Sequence, residues 1–172
     1  MTTDGQTFHF DRVVLACGGQ AAPKTGSDGS GYELARRLGH NIIPVVPALV
    51  QLRCREPFLK EVAGVRAEAE LLAEHGGERI QERGELQLTD YGISGIPVFQ
   101  LSRRVNYILK NMGKSAEVEV RIDFLPEYAL EEIQEMFGRR VQQLGRQTVE
   151  EFFTGILNKK LMQLFIKLAG LK

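Results

Sequence analysis

The 172-residue sequence lacks an excess of either charge and lacks any long apolar run. Lysine plus arginine number 22, as do aspartate plus glutamate, so no overall field attracts nucleic acid or an anionic membrane surface. The apolar-rich stretch "LMQLFIKLAGL" is interrupted by a lysine and is far shorter than the roughly 20 residues that span a bilayer. We therefore expect neither nucleic acid nor a membrane as a partner.

Metal-ligating and disulfide-forming residues are scarce. The two cysteines, Cys17 and Cys54, fit no metal-ligand spacing, and the three histidines are scattered without a cysteine or carboxylate partner at such a spacing. We predict no metal site. The opening residues "MTTDGQTFHF" have neither the basic nor the apolar region of a secretory signal, so a reducing cytoplasm is the expected location.

The common nucleotide-binding and hydrolase motifs are also missing. No Gly-Lys-Ser/Thr closes a Walker loop, and the adjacent Gly18 and Gly19 break the G-x-G-x-x-G pattern of dinucleotide-binding proteins. In "GISGI", at 92–96, isoleucine stands where the nucleophile elbow G-x-S-x-G needs glycine. No side chain is a convincing acid or base, so the catalytic residues remain unassigned.

What the sequence does contain is a glycine-rich connection between a predicted strand and a predicted helix, "VVLACGGQAAPKTGSDGSGYELARRLGH", at 13–40. Residues 6–10 and 12–16 are predicted to be extended, the second continuously apolar as in a strand covered on both faces. Helical spacing follows, with Gly39 where a C-cap glycine belongs. Such a turn can bring backbone N–H groups close to a phosphate or a flat polar ligand. The alternative is a purely structural turn.

The rest of the chain predicts a β-rich part followed by a helical part, within the α+β class. Prolines near residue 46 mark a boundary, and alternating apolar residues, with a Gly76-Gly77 turn, favour a small closed or half-closed β-barrel over 47–125 with one helix ending at Gly113. Residues 126–172 switch to helical spacing and predict a bundle of three short helices. Thr148 with Glu151 forms a capping box for the second helix, and Asn158 can cap the third.

Two long motifs resemble the BaiN/YhiN-like flavoproteins, a family of NAD(P)/FAD-dependent oxidoreductases that includes aminoacetone oxidase-like FAD enzymes. One is the 13–40 stretch, and the other is "GELQLTDYGISGIPVFQLSR" at 84–103. Their order and separation fit the family, and the resemblance covers nearly the whole chain. It implies a Rossmann-like FAD domain that is interrupted by an inserted β-barrel and a small helical subdomain.

On this resemblance, residues 1–46 are the remnant of the FAD domain, 47–125 the barrel insert and 126–172 the helical subdomain. The family's N-terminal G-x-G-x-x-G strand and C-terminal glycine-rich segment are missing, so we expect an internal portion of a longer enzyme that is inactive in isolation. The implied cofactor is FAD, with NAD(P)H as reductant and an unknown small molecule as substrate. The alternative is a non-enzymatic module that binds a protein or a nucleotide.

The resemblance also implies the site residues. Six are matched to cofactor binding, the first four of them aligned with the family's A-T-G-G turn: Ala16, Cys17, Gly18, Gly19, Thr25 and Gly26. Cys17 replaces the usual threonine and loses its hydroxyl. Four in the second motif are substrate-side candidates, because they precede a helix near Pro97 whose N-terminus carries partial positive charge: Tyr91, Gly92, Ser94 and Gly95. The family more often has proline directly after Ser-Gly, where this chain has Ile96.

Overall fold

The computed structural model describes residues 5–113, 115–144 and 148–171, and the chain divides into two units between Val45 and Val46. The first unit contains a short 3-10 helix, Pro23–Thr25, and helix α1, Ser30–Arg37. Helix α1 ends as predicted. Gly39 has a positive φ of 86°, its N–H donates to Arg36 O, and the next N–H donates to Ala35 O, which is the Schellman arrangement of a C-terminal cap.

The prediction of a covered strand at 12–16 is wrong for this structure. Val13 and Val14 are 73% and 86% exposed, and no described residue of the first unit belongs to a strand. The apolar pattern encodes a strand for the interior of a sheet, but a strand forms only where neighbouring strands accept its hydrogen bonds. The described part of this unit therefore shows a turn and a helix, and no Rossmann-like sheet.

The second unit is built on five strands: β1, Leu52–Arg53; β2, Arg66–His75; β3, Glu78–Thr89; β4, Gly92–Gly95; and β5, Val120–Asp123. They form one antiparallel sheet in the order β1-β4-β3-β2-β5. The predicted alternation is confirmed. Ala69 and Leu71 in β2 and Leu86 in β3 are fully buried, while their neighbours Glu70 and Gln87 are only half-buried. The Gly76-Gly77 turn joins β2 to β3 as expected, with both glycines at positive φ.

Helix α2, Ile96–Met112, packs against the sheet through the predicted apolar stripe. Leu101 and Val105 are buried, and the fully buried Ser102 hydroxyl donates to Phe99 O at 2.7 Å and accepts the Val50 N–H at 3.2 Å. The Asn106 amide donates to Pro47 O at 2.9 Å. The bonds from Val50 to Ser102 and from Asn106 to Pro47 hold the segment that leads into β1 against the helix.

The sheet curls into a half-barrel whose edges are β1 and β5. Arg55, just after β1, forms an ion pair with Glu117, which precedes β5. No backbone pairing between β1 and β5 closes the barrel within the described residues. Of the two forms that the sequence predicted, closed and half-closed, the structure has the half-closed one.

A 3-10 segment, Pro57–Val62, lies between β1 and β2. After β5 the chain forms three helices: α3, Leu130–Leu144; α4, Val149–Phe153; and α5, Lys159–Leu168. The capping box is confirmed, because the Glu151 N–H donates to Thr148 Oγ1 and the Thr148 N–H donates to the Glu151 carboxylate. Asn158 caps α5 through the Lys160 N–H. Helix α5 joins the core of the sheet rather than a separate one, since Leu161 and Leu164 belong to the same buried cluster.

Candidate functional site

The residues at 16–19, called the glycine turn below, and the start of helix α1 are packed against each other without room for additional side chains. A Cβ on Gly19 would lie 2.8 Å from the Tyr32 hydroxyl oxygen, and one on Gly31 would lie 2.5 Å from Cys17 Sγ. Gly18 has a positive φ of 72°, which glycine adopts at little cost. Cys17, Gly18 and Gly19 are thus held beside the N-terminal end of helix α1, and the two glycines carry no Cβ atom.

The loop between the turn and the helix is held by its own polar groups. The hydroxyls of Thr25 and Ser27 both donate to Ala22 O, at 2.7 and 2.8 Å. Gly26 has a φ of 91°, and the space where its Cβ would lie is open. The two predicted residues of the loop, Thr25 and Gly26, therefore differ, since the threonine hydroxyl is engaged internally and the glycine borders free space.

A carboxylate already occupies the start of helix α1. The Ser30 N–H donates to Asp28 Oδ1 at 2.9 Å, and hydrogen bonds from the Ser30 backbone and then its hydroxyl lower the pKa of the Asp28 carboxyl. Asp28 is therefore ionised at neutral pH, and its charge opposes a second anion at this helix end. This helix end therefore favours binding of a ligand through neutral polar atoms over binding through a phosphate.

In the second motif, the two candidate glycines, Gly92 and Gly95, lie where strands approach closely. A Cβ on Gly92 would overlap Leu52 O of β1, and one on Gly95 would overlap Glu85 O of β3. Ser94 lies between them in β4, opposite Gln87, and is only 5% exposed. These glycines have a packing reason that needs no ligand.

Tyr91 is the most accessible of the four substrate-side candidates, at 37% exposed. Its hydroxyl donates to Gln51 Oε1, and the Arg53 guanidinium lies over its ring, 5.6 Å from the centroid. Helix α2 begins at Ile96, one residue before the predicted Pro97, so the motif does lead into a helix start. The structure brings Tyr91, Gly92, Ser94 and Gly95 together on and beside β4, while the glycine turn belongs to the other unit.

A cavity of about 840 Å³ is the feature that sequence reasoning missed. It lies between the two edges of the half-barrel, under helix α2, and Leu52, Ile93, Leu109 and Val120 are among its walls. The alternating strand pattern predicts inward-facing side chains, but only the strand order shows that β1 and β5 face one another across a gap.

Cys54 lines this cavity, whereas Cys17 is exposed in the other unit. Burial, and to a lesser extent the charge of Glu56, raises the pKa of the Cys54 thiol. We expect a thiol-specific reagent to label the protein in two phases, with Cys54 at least about tenfold slower. The rate at Cys54 should keep rising with pH above the ordinary thiol range. Stopped-flow absorbance measures both phases. Cys17→Ser should remove the fast phase alone, and a fast phase that persists in this variant would contradict the assignment.

The described residues offer neither a metal-binding cluster nor a helix that could span a membrane. No group of three or more histidine, cysteine, aspartate or glutamate residues is placed so that it could hold a metal ion in the described part of the chain. The described helices include none that is long and apolar enough to cross a bilayer.

Comparisons with known proteins extend along nearly the whole chain. A family model described as the HI0933-like protein barrel and H2TH domain matches residues 46–172. The 3-dehydro-bile acid delta(4,6)-reductase of Clostridium scindens is 46% identical over 170 residues, which is 98% of this chain and 41% of that protein. The ribosomal RNA dihydrouridine synthase of Escherichia coli is 33% identical over 58% of this chain and 25% of its own length. That of Haemophilus influenzae is 29% identical over 90% and 35%.

Proposed function

Because this chain belongs to the HI0933-like flavoprotein family, of BaiN/YhiN type, we propose that it forms part of an FAD-dependent oxidoreductase. It contributes part of the FAD site through the glycine turn and carries an inserted domain on the substrate side. The observation that carries this proposal is the 46% identity to a reductase, which runs through 98% of the chain and so includes both motifs. Bound FAD would supply the hydride chemistry, while the protein supplies position and electrostatics.

The residues of the first unit suit a neutral portion of FAD. The turn at Cys17, Gly18 and Gly19 offers backbone groups that no Cβ of the two glycines shields, and Gly26 borders open space. The ionised Asp28 at the start of helix α1 accepts hydrogen bonds and repels phosphate, so it favours the hydroxyl groups of a ribose or ribityl chain. In this proposal the turn and loop contact the sugar part, and the diphosphate is bound elsewhere.

The diphosphate site is expected outside these residues. The chain spans at most 41% of the length of the curated relatives reported above, and it has no G-x-G-x-x-G pattern. A complete flavin site would then need further segments of a longer protein. The chain alone is accordingly expected to be inactive and to bind FAD weakly.

The substrate is proposed to be a small molecule, reduced at the expense of NADH or NADPH. The relative with 46% identity is named for a bile acid, whereas the relatives with 33% and 29% identity are named for ribosomal RNA. The balanced formal charge of this chain favours the small molecule over the nucleic acid.

The test compares the protein encoded by the full reading frame that contains these residues with this chain alone. Both are purified, and their bound flavin and its anaerobic reduction are measured. We expect stoichiometric FAD in the longer protein, bleaching of its flavin absorbance by NADH or NADPH, and little flavin in the chain alone. A colourless longer protein that does not take up added FAD would overturn the proposal and favour the binding-module alternative. Tight, saturable FAD binding by the chain alone would overturn the expectation of an incomplete site.

We also propose that the isolated chain self-associates through the exposed apolar segment at 12–16. Val14 is 86% exposed, and a segment with the sequence pattern of a strand but no strand partner among the described residues is a template for pairing with a second copy. Light scattering should show a mass that rises with concentration. Val14→Lys should abolish the rise, whereas Leu38→Lys, at another exposed apolar position, should not. A mass that stays monomeric at all concentrations would rule the association out.

A further inference from the structure

The cavity of the half-barrel is walled mainly by the apolar core. Leu52, Ile93 and Val105 are buried core residues that line it, and Val118, Val120 and Ile122 pack against the same core from the β5 side. Its volume of about 840 Å³ lies within the usual range for small-molecule sites, roughly 300–1,000 Å³. Apolar walls of this kind hold water poorly, because water finds few hydrogen-bond partners there.

The charged side chains of the lining are offset by side chains of opposite charge. Arg55 forms an ion pair with Glu117, and Glu119 is paired with Arg121 at 2.9 Å. The remaining charged lining residues that the structure describes, Arg53 and Glu56, carry opposite charges. The described lining thus holds two arginines and three glutamates, and Arg121, which lies outside the lining, balances the third glutamate. No net positive charge is left to attract an anionic ligand into the cavity.

The polar groups of the lining are largely engaged by the protein itself. The Asn106 amide donates to Pro47 O, and the Gln51 side-chain oxygen accepts from the Tyr91 hydroxyl. Cys54 adds a half-buried sulfur, which is a weak and polarisable partner. The lining thus offers extensive apolar contact with few free hydrogen-bonding groups.

We propose that this cavity is a binding site for an uncharged, hydrocarbon-rich small molecule that enters between the edges of β1 and β5. The Arg55–Glu117 ion pair spans these two edges and keeps the entrance electrically neutral. The site is formed by the second unit alone and does not depend on flavin binding.

The first test titrates the chain with the neutral fluorophore N-phenyl-1-naphthylamine. We expect saturable binding with a stoichiometry of one. Leu109→Trp places a bulky ring in the cavity and should weaken binding about tenfold or more, because overpacking an occupied site is costly. Met112→Trp is the matched control on the same helix, at an exposed position outside the lining, and should bind like the unmodified chain. Non-saturable binding, or equal affinity in both variants, would overturn the proposal.

The second test uses the unmodified chain, so it does not depend on whether a variant folds. Saturating fluorophore should slow labelling of Cys54, which lines the cavity, and leave labelling of the exposed Cys17 unchanged. Unchanged labelling of Cys54 at saturation, or equal slowing of both cysteines, would overturn the location of the site.

The third test addresses charge. The anionic analogue 1-anilinonaphthalene-8-sulfonate should bind the unmodified chain more weakly than the neutral fluorophore. Glu117→Gln leaves the Arg55 charge unmatched, so the anion should bind more tightly to this variant while the neutral fluorophore is unaffected. An anion preferred over the neutral fluorophore by the unmodified chain would overturn the neutral-ligand assignment.

Discussion

Replacement of Gly95 by alanine should lower the free energy of unfolding of the second unit by about 2–5 kcal/mol. Gly95 has a φ of 106°, which alanine adopts only with strain, and its Cβ would overlap the carbonyl oxygen of Glu85 in the neighbouring strand. Backbone atoms of β3 cannot move aside without breaking their own pairing. Urea denaturation followed by circular dichroism measures the change.

Gly77→Ala is the matched control for this prediction. Gly77 also has a positive φ, 81°, but the space where its Cβ would lie is open. Its replacement should therefore cost only the backbone strain, about 1 kcal/mol. If the two variants lose the same stability, the close approach of β3 and β4 does not explain Gly95.

Replacement of Gly19 by alanine should weaken FAD binding by the longer protein about 10- to 100-fold. The added Cβ would lie 2.8 Å from the Tyr32 hydroxyl oxygen, so either the turn or the Tyr32 ring must shift, and the Cβ itself covers the backbone of the turn. Overpacking costs about 1–3 kcal/mol, and each 1.4 kcal/mol is a tenfold change in affinity. Quenching of flavin fluorescence on binding measures the dissociation constant.

Tyr32→Phe separates packing from cofactor contact. It removes the oxygen that a Cβ on Gly19 would meet, and the next atom of the ring lies 3.8 Å away, an ordinary contact. In the double variant we expect the turn to lie as in the unmodified protein and FAD to remain weakly bound, because the Cβ still covers the backbone. Full recovery of FAD binding in the double variant would mean that Gly19 serves only to accommodate Tyr32. Tyr32→Phe alone should bind FAD normally.

The sequence predicted well those elements whose signals lie within a few residues. The Thr148–Glu151 capping box, the Gly39 cap and the Gly76-Gly77 hairpin each depend on residues close together in the chain, and all three are present. Helix α2 has a regular apolar stripe, so its burial could also be predicted. Local hydrogen bonding and periodicity determine these elements before any tertiary contact is known.

Features that depend on distant partners could not be predicted in this way. Strand β1 contains only two residues, and it exists because Leu52 and Arg53 find Ile93 and Gly92 across the sheet. The close approach at Gly92 and the cavity between β1 and β5 arise from that same strand order. Conversely, the apolar segment at 12–16 has the pattern of a buried strand but finds no neighbouring strand among the described residues.

The strand order also determines the sequence of folding events that we expect. The β2–β3 hairpin is local and pairs from Arg66 with Gln87 to His75 with Glu78, whereas β1 and β5 join strands far from them in the chain. Contacts of low sequence separation close with the smaller entropy cost, so the hairpin should form early and the two edge strands late. Amide hydrogens of β1 and β5 should then exchange faster than those of the hairpin. Ligand entry and release would need only local opening of these edges, while the hairpin stays folded.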